Sequence, residues 1–113
     1  MEEAPKLEKW PFKKAELMVE EPRVDKSFMI SFDAKDKNQN KAYNRAIEKI
    51  CLEHKLNPFH QSGSHDSVGY QAWEIFTETN REVLLNLIPE IQARAEEIHN
   101  ERRKLGLLET DTW

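Results

Sequence analysis

Cysteine, glycine, proline and long apolar runs are all scarce in this chain. It has one cysteine, three glycines and five prolines among 113 residues. The single cysteine excludes a disulfide bond within the chain, and so few glycines and prolines argue against long disordered tracts. No apolar run approaches the roughly 20 residues of a membrane-spanning helix, and charges interrupt the amino-terminal stretch where a signal peptide needs an apolar core. We therefore expect a cytoplasmic protein with no membrane partner.

An excess of either charge is lacking as well. The 17 Lys and Arg residues nearly balance the 21 Asp and Glu residues, which gives a formal net charge of −4. Proteins that wrap DNA non-specifically are strongly basic, so the balance argues against that class. A chain of 113 residues predicts one domain with a modest core. We expect an extended amino-terminal arm over 1–14, a single α+β domain over 15–106 and an acidic tail over 107–113.

The strongest pattern that is present is an apolar stripe in the carboxy-terminal third. Its members recur at three- and four-residue steps, which predicts one side of a long α-helix. They are Val83, Leu84, Leu87, Ile88, Ile91, Ala95, Ile98 and Leu105. Pro89 lies opposite the stripe, where it would bend the helix; two helices that meet at Pro89 are the alternative. Gly106 is placed to end the helix.

The rest of the chain predicts three strands and one more helix. Strands are expected over 15–20, 27–33 and 67–77, a helix over 37–55 and a polar loop over 59–66. The fold class is therefore α+β, a small β-β-α-β-α sandwich with two helices on one face of a short three-stranded sheet and a long bent carboxy-terminal helix. The connection from the second strand through the first helix to the third strand is a candidate crossover unit.

Such a sheet leaves one face and at least one edge uncovered, which favours pairing with another chain. We expect Met29, Ser31 and Trp73 on that face. The aromatic residues near the two ends of the chain are further candidate anchors, or else fold back onto their own core. The predicted protein-binding residues are Trp10, Phe12, Met29, Trp73 and Trp113.

A basic stripe on the first predicted helix is a candidate nucleic-acid surface. Lys37, Lys41, Arg45 and Lys49 step by four residues, so they share one side of a helix and could contact a phosphate backbone. Asn40 and Asn44 beside the stripe could add hydrogen bonds. A solvated basic face, or a surface for an acidic protein, is the alternative.

The histidine-bearing stretch contains every side-chain type that a zinc site needs. Cys51, His54, His60 and His65 have the spacing C-x2-H-x5-H-x4-H, which matches no standard zinc finger. A buried cysteine with ordinary loop histidines explains the same pattern.

Three functions follow from these patterns, and no cofactor is expected. The first is a non-catalytic protein-interaction module that forms a homodimer and binds, and so regulates or inhibits, another macromolecule, as small acidic accessory proteins of bacteria and viruses do. The second is a nucleic-acid-binding regulator that uses the basic stripe. The third is a small metal-dependent hydrolase built on the cysteine and histidines.

Overall fold

A computed structural model describes residues 11–20, 27–62, 69–76 and 81–108 of the chain. The elements in chain order are β1 (Met18–Glu20), β2 (Ser27–Phe32), α1 (Lys37–Glu53), β3 (Asn57–Ser62), β4 (Gln71–Phe76) and α2 (Arg81–Lys104). The described part is therefore two successive β-β-α units. The predicted α+β class is confirmed, but the sheet has four strands where three were expected.

The four strands form one antiparallel sheet in the order β1-β2-β4-β3. The second strand of each unit lies in the centre, and the first strand of each unit lies at an edge. In the central pair, Phe28 lies opposite Ile75 and Ile30 lies opposite Trp73. Because side chains alternate across a strand, these four residues share one face of the sheet.

The strand that the sequence reading missed is β3. The sequence predicts a helix end at its first two residues, Asn57 and Pro58, whereas α1 ends at Glu53. Only Phe59 among the next residues is strongly apolar. A proline is tolerated there because β3 is paired on one side only, by β4 in the described sheet. This extra strand reverses the chain, so β2 and β4 are antiparallel and the predicted crossover between them is wrong.

The core lies between the two helices and one face of the sheet, the inner face. Apolar side chains of β1, β2, β4 and both helices meet there, and the burial of each contributes roughly 1.5–3 kcal/mol to the free energy of unfolding. The larger members are Val19, Ile30, Phe32, Tyr43, Ile47, Ile50, Trp73, Ile75, Leu84, Leu87 and Ile91.

Local signals explain where the helices begin and end. The carboxylate of Asp36 accepts hydrogen bonds from the backbone N–H groups of Asn38 and Gln39 at 2.8 and 3.2 Å, which caps the start of α1. After α1 the backbone turns at Lys55, which has a left-handed φ of 64°. After α2 it turns at Gly106, with a φ of 73°, so the predicted glycine stop is confirmed.

The stripe helix α2 continues through Pro89 without a break. The prediction of one long helix is confirmed, and the alternative of two helices that meet at the proline is wrong. Pro89 is exposed, and Leu84, Leu87, Ile91 and Ala95 are buried, as their spacing predicted. The first and last members of the predicted stripe, Val83 and Leu105, are exposed. Neither of the two described helices has the length and apolarity that a membrane span requires.

Candidate protein-interaction surfaces

The outer face of the sheet, opposite the helices, is a candidate binding surface. The alternation of each strand brings to it a mixture of apolar, hydroxyl and acidic side chains. Its members are Met18, Glu20, Ser27, Met29, Ser31, Asn57, Phe59, Gln61, Ala72, Glu74 and Phe76. Met18 and Phe59, on the two edge strands, are 53% and 55% exposed. Both described helices pack on the inner face, so neither of them covers this surface.

Two carboxylates on the outer face are held by neutral donors. Glu74 is only 8% exposed, and its oxygens accept hydrogen bonds from Ser27 Oγ at 3.0 Å and Gln61 Nε2 at 3.1 Å. Glu20 accepts from Ser31 Oγ at 2.8 Å. These donors fix the carboxylates in place without cancelling their charge, so the centre of the outer face is negative.

An aromatic pair lies at one margin of the same face. The rings of Phe59 and Phe76 meet edge to face, with their centroids 5.5 Å apart. Such a pair contributes more stabilisation than the burial of its apolar area alone, and it favours one orientation of the exposed ring. The outer face therefore presents a rigid apolar margin beside a negative centre.

Of the residues predicted for this face, Met29 and Ser31 lie on it and Trp73 does not. Trp73 is on the inner face and only 2% exposed, so the expectation that it lies on the uncovered face is wrong. Its ring Nε1–H donates to Asn44 Oδ1 at 2.7 Å, a bond that keeps the indole inside the core. Met29 is also buried, at a position directly opposite Glu74.

Asn44 belongs to a buried amide network between α1 and β4. Its Nδ2 donates to Gln71 Oε1 at 3.1 Å, and His60 Nε2 lies 2.8 Å from the same oxygen. Asn40 Nδ2 donates to the carbonyl of Gly69 at 3.0 Å. Both asparagines are thus committed to the interior, and the expectation that they flank a phosphate-binding stripe is wrong.

A second candidate surface is the cleft that holds residues 11–17, here called the strap. The strap is extended and enters β1 at its carboxy-terminal end. The side-chain amide of Gln39 binds both backbone groups of Lys13: its Oε1 accepts from the N–H, and its Nε2 donates to the carbonyl at 2.8 Å. This pair of bonds reproduces what a neighbouring β-strand would offer.

Two further side chains bind the strap backbone at Ala15, two residues after Lys13. The N–H of Ala15 donates to the Tyr43 hydroxyl at 2.8 Å, and the carbonyl of Ala15 accepts from Gln92 Nε2 at 2.7 Å. The Tyr43 hydroxyl in turn donates to Gln92 Oε1. Burial raises the pKa of Tyr43, with a smaller contribution from Glu96, so the hydroxyl keeps the proton that this bond needs.

Phe12 is the apolar anchor of the strap. Its ring centroid lies 5.8 Å from that of Tyr43 and 5.7 Å from that of His99, on α2. Phe12 is partly buried against the core, which favours the fold-back alternative for this residue. Trp10 and Trp113, the other predicted aromatic anchors, lie outside the described residues.

The predicted basic stripe does not form one exposed row. Lys37 is only 8% exposed and Lys41 is half-buried, whereas Arg45 and Lys49 are exposed. The two exposed residues line an open groove of about 450 Å³ with residues of α2. The other lining residues are Glu97, Ile98, Glu101 and Arg102. Carboxylates therefore face the basic side chains and weaken the potential that would attract phosphate.

The residues predicted for a metal site have separate partners. Cys51 is in the core, where burial raises its thiol pKa to about 12, far from the thiolate that a metal requires. His54 Nε2 lies 3.2 Å from Glu90 Oε1 on α2, and His60 binds Gln71. Within the described ranges no group of three or more His, Cys, Asp and Glu side chains could hold a metal ion. His65 lies outside those ranges.

Sequence reasoning missed the residues that build the strap cleft and the apolar margin. Gln39 and Gln92 have no signature that distinguishes them from solvated polar residues on a helix. Phe59 carried a signal, an isolated aromatic residue in a polar stretch, but the proline before it favoured a loop. Comparison with known proteins finds no matching family model, no matching curated sequence and no matching solved structure.

Proposed function

We propose that this chain is a non-catalytic protein-interaction module that self-associates and binds, and so regulates or inhibits, another macromolecule. The observation that carries the proposal is the outer face of the sheet, on which exposed Met18 and Phe59 lie beside two hydrogen-bonded carboxylates, the buried Glu74 and the exposed Glu20. Apolar residues on a sheet face that no described helix covers are typical of an interface rather than of a solvated surface.

The chemistry of this face selects its partner. Met18 and Phe59 offer apolar contact, while Glu20 and Glu74 make the region between them negative. A segment that carries apolar side chains together with lysine or arginine would satisfy both features, and its cations would pair with carboxylates that are already ordered. Nucleic acid fits this face poorly, because its phosphates would meet Glu20 and Glu74.

Selection from a displayed random-peptide library tests the proposal directly. The full-length chain is the bait, and we expect enriched peptides to combine apolar residues with Lys or Arg. In a ¹H–¹⁵N titration with one such peptide, the amide shifts should concentrate on β1, β3 and the central strands. Peptides without basic residues, or shifts confined to the helices, would contradict the proposed surface.

Two matched variants distinguish binding at this surface from non-specific hydrophobic binding. Phe59→Ser should lower the affinity for the peptide by at least tenfold, the scale of about 1.4 kcal/mol for one lost apolar anchor. Leu105→Ser removes an equally exposed apolar side chain just beyond α2 and should leave the affinity unchanged. Equal losses for the two variants would mean that the outer face is not the binding site.

Self-association is measured separately, by sedimentation velocity of the full chain over a range of concentrations. We expect a dimer, because the sheet has two edge strands and one face that the described helices leave uncovered. A chain that stays monomeric at millimolar concentration would contradict the proposed self-association.

Nucleic-acid binding is the second candidate, and the groove between α1 and α2 is the observation that favours it. Arg45, Lys49 and Arg102 line this groove together. Single- and double-stranded oligonucleotides should then bind at low salt, with an affinity that falls steeply as salt rises. Lys49→Glu should abolish that binding, and the absence of any binding at low salt would exclude this function.

A further inference from the structure

We propose that the outer face of the sheet binds an amphipathic α-helix that carries two basic residues seven positions apart, one for Glu20 and one for Glu74. The inference rests on the proposed function and specifies the segment that this face binds. It follows from the order of the side chains across the sheet and from the charge of the two carboxylates.

The register of the sheet aligns four outer-face residues across all four strands. Glu20 is paired with Met29, Met29 with Glu74, and Glu74 with Phe59. These four residues are here called the cross-strand row. Because neighbouring strands lie about 4.8 Å apart, the Cα atoms of Glu20 and Glu74 are separated by roughly 10 Å, with Met29 midway between them. Phe59 continues the row one strand beyond Glu74.

The two carboxylates of the row are held by neutral groups. Glu74 is buried and accepts from Ser27 and Gln61, and Glu20 accepts from Ser31. Among the residues that the structure describes, neither carboxylate forms an ion pair. A cation from a partner would therefore meet carboxylates that are already oriented and, at Glu74, largely removed from water, which strengthens such a pair.

The spacing of the row matches one side of an α-helix. Helical residues i and i+7 lie about 10.5 Å apart on the same side, and residue i+4 lies between them. Basic residues at i and i+7 can therefore reach Glu20 and Glu74, while an apolar residue at i+4 contacts Met29. A further apolar residue one turn beyond the second cation reaches the exposed ring of Phe59.

Two other occupants fit the row less well. Side chains on one face of an extended segment are about 6.6 Å apart, so a strand that crosses the sheet would be out of step with the row. A second copy of this chain bound face to face would bring the same two carboxylates toward Glu20 and Glu74, and like charges repel. The helix is the occupant that satisfies both the spacing and the charge.

The test uses the full-length chain and two synthetic alanine-rich helical peptides of identical composition. The first peptide has lysines at i and i+7, leucine at i+4 and phenylalanine at i+11. In the second peptide the lysine at i+7 is exchanged with the alanine at i+5, which lies on another side of the helix. Calorimetric titration at low salt should show that the first peptide binds about tenfold more tightly or better.

Charge-neutral variants of the chain assign the two cations. Glu74→Gln and Glu20→Gln preserve the size of each side chain, and each should lower the affinity for the first peptide by about tenfold. Neither should change the affinity for a peptide with methionine in place of both lysines. Glu48→Gln is the matched control, because it removes the same charge from an exposed position on α1 and should have no effect. Glu20 is also exposed, so Glu20→Gln tests the row even if Glu74→Gln does not fold.

The outcomes separate this inference from the proposed function. Equal affinities for the two lysine peptides, or equal losses from Glu20→Gln and Glu48→Gln, would overturn the helical partner. If peptides selected from the random library still bind the outer face in that case, the proposed function remains. If neither the designed nor the selected peptides shift the amides of the outer face, the proposed function fails as well.

Discussion

The two faces of the sheet are made by the same four strands and differ in chemistry. On the inner face Ile30, Trp73 and Ile75 meet the helices, and the polar groups among them are paired within the core. On the outer face Met29, Ser31 and Glu74 alternate with these residues and meet no described helix. The inner face therefore carries the apolar contact with the helices, whereas the outer face combines apolar side chains with hydrogen-bonded hydroxyl and carboxylate groups.

The largest expected effect comes from placing a charge on the inner side. Leu87 is buried on α2, and Leu87→Asp would bring a carboxylate into the core without a cation. We expect the free energy of unfolding to fall by about 4 kcal/mol or more, because an unpaired buried charge is among the changes that destabilise proteins most. Chemical denaturation followed by circular dichroism measures this loss, and a variant as stable as the wild type would mean that α2 does not close the core.

Adjacent residues of β2 give the sharpest test of the difference between faces. Ile30 is on the inner face and Met29 on the outer one, and both are buried. Ile30→Ala should cost about 2–5 kcal/mol, because the cavity it leaves is enclosed by helices and strands. Met29→Ala should cost less, because neither described helix packs against its side of the sheet and the neighbouring side chains can relax into the space it leaves. Equal costs from denaturation curves would show that the outer face is packed as tightly as the inner one.

The buried amide network predicts an intermediate effect. Asn44→Ala leaves the Nε1–H of Trp73 and the side chain of Gln71 without their partner. An unsatisfied buried group costs about 1–3 kcal/mol, so the midpoint of denaturation should fall while the slope stays constant. Arg45→Ala, an exposed substitution on the same helix, is the control and should change stability little.

Alkaline pH should lower the free energy of unfolding through Cys51, which is buried in the core. Burial raises the pKa of this thiol from 9.0 to about 12, so the folded chain holds the proton where the unfolded chain loses it. Stability is therefore complete below pH 9 and falls as pH rises toward 12, with a slope of up to about 1.4 kcal/mol per pH unit from this group. Denaturation of the wild type and Cys51→Ala at several pH values measures the effect: the stability difference between them should be constant at and below neutral pH, where it reflects packing, and should shift against the wild type as the pH rises above 9.

The smallest effect on stability belongs to the outer face. Phe59 is more than half exposed, so Phe59→Ser should change the free energy of unfolding by less than about 1 kcal/mol. The same variant is the one expected to lose peptide binding. Thermal unfolding monitored beside the peptide titration separates the two readouts, and a large fall in stability would mean that this ring belongs to the core.

The helices and the first two strands could be predicted because their apolar residues recur with a regular period. The stripe from Leu84 to Ala95 has one buried side, and Phe28, Ile30 and Phe32 alternate with less apolar neighbours. The rule that apolar residues on a common face of an element pack in the core was enough to predict these elements.

The same rule failed for β4 because both of its faces carry apolar residues. Trp73 and Ile75 lie on one side, while Ala72 and Phe76 lie on the other, so alternation alone does not say which side is inner. The polar Gln71 adds to the ambiguity, since it faces inward and is satisfied there by Asn44. Only the pairing register with β2 determines which side of β4 faces the core, and that register depends on contacts between residues distant in sequence.

The strap could not be predicted for a related reason. Its residues have no period, and its partners Gln39 and Gln92 are amides that suit water equally well. Their role arises from the approach of α1 and α2, which brings both amides to one extended segment. A reading based on composition and spacing contains no information about that approach.

Pro89 has a consequence for the order in which α2 opens. Without an N–H at this position, the helical ladder lacks the bond that would reach the carbonyl of Leu85, so the ladder has a gap after the second turn. We therefore expect the first two turns, which are held by buried Leu84 and Leu87, to exchange their amide hydrogens as one unit, separately from the turns held by Ile91 and Ala95.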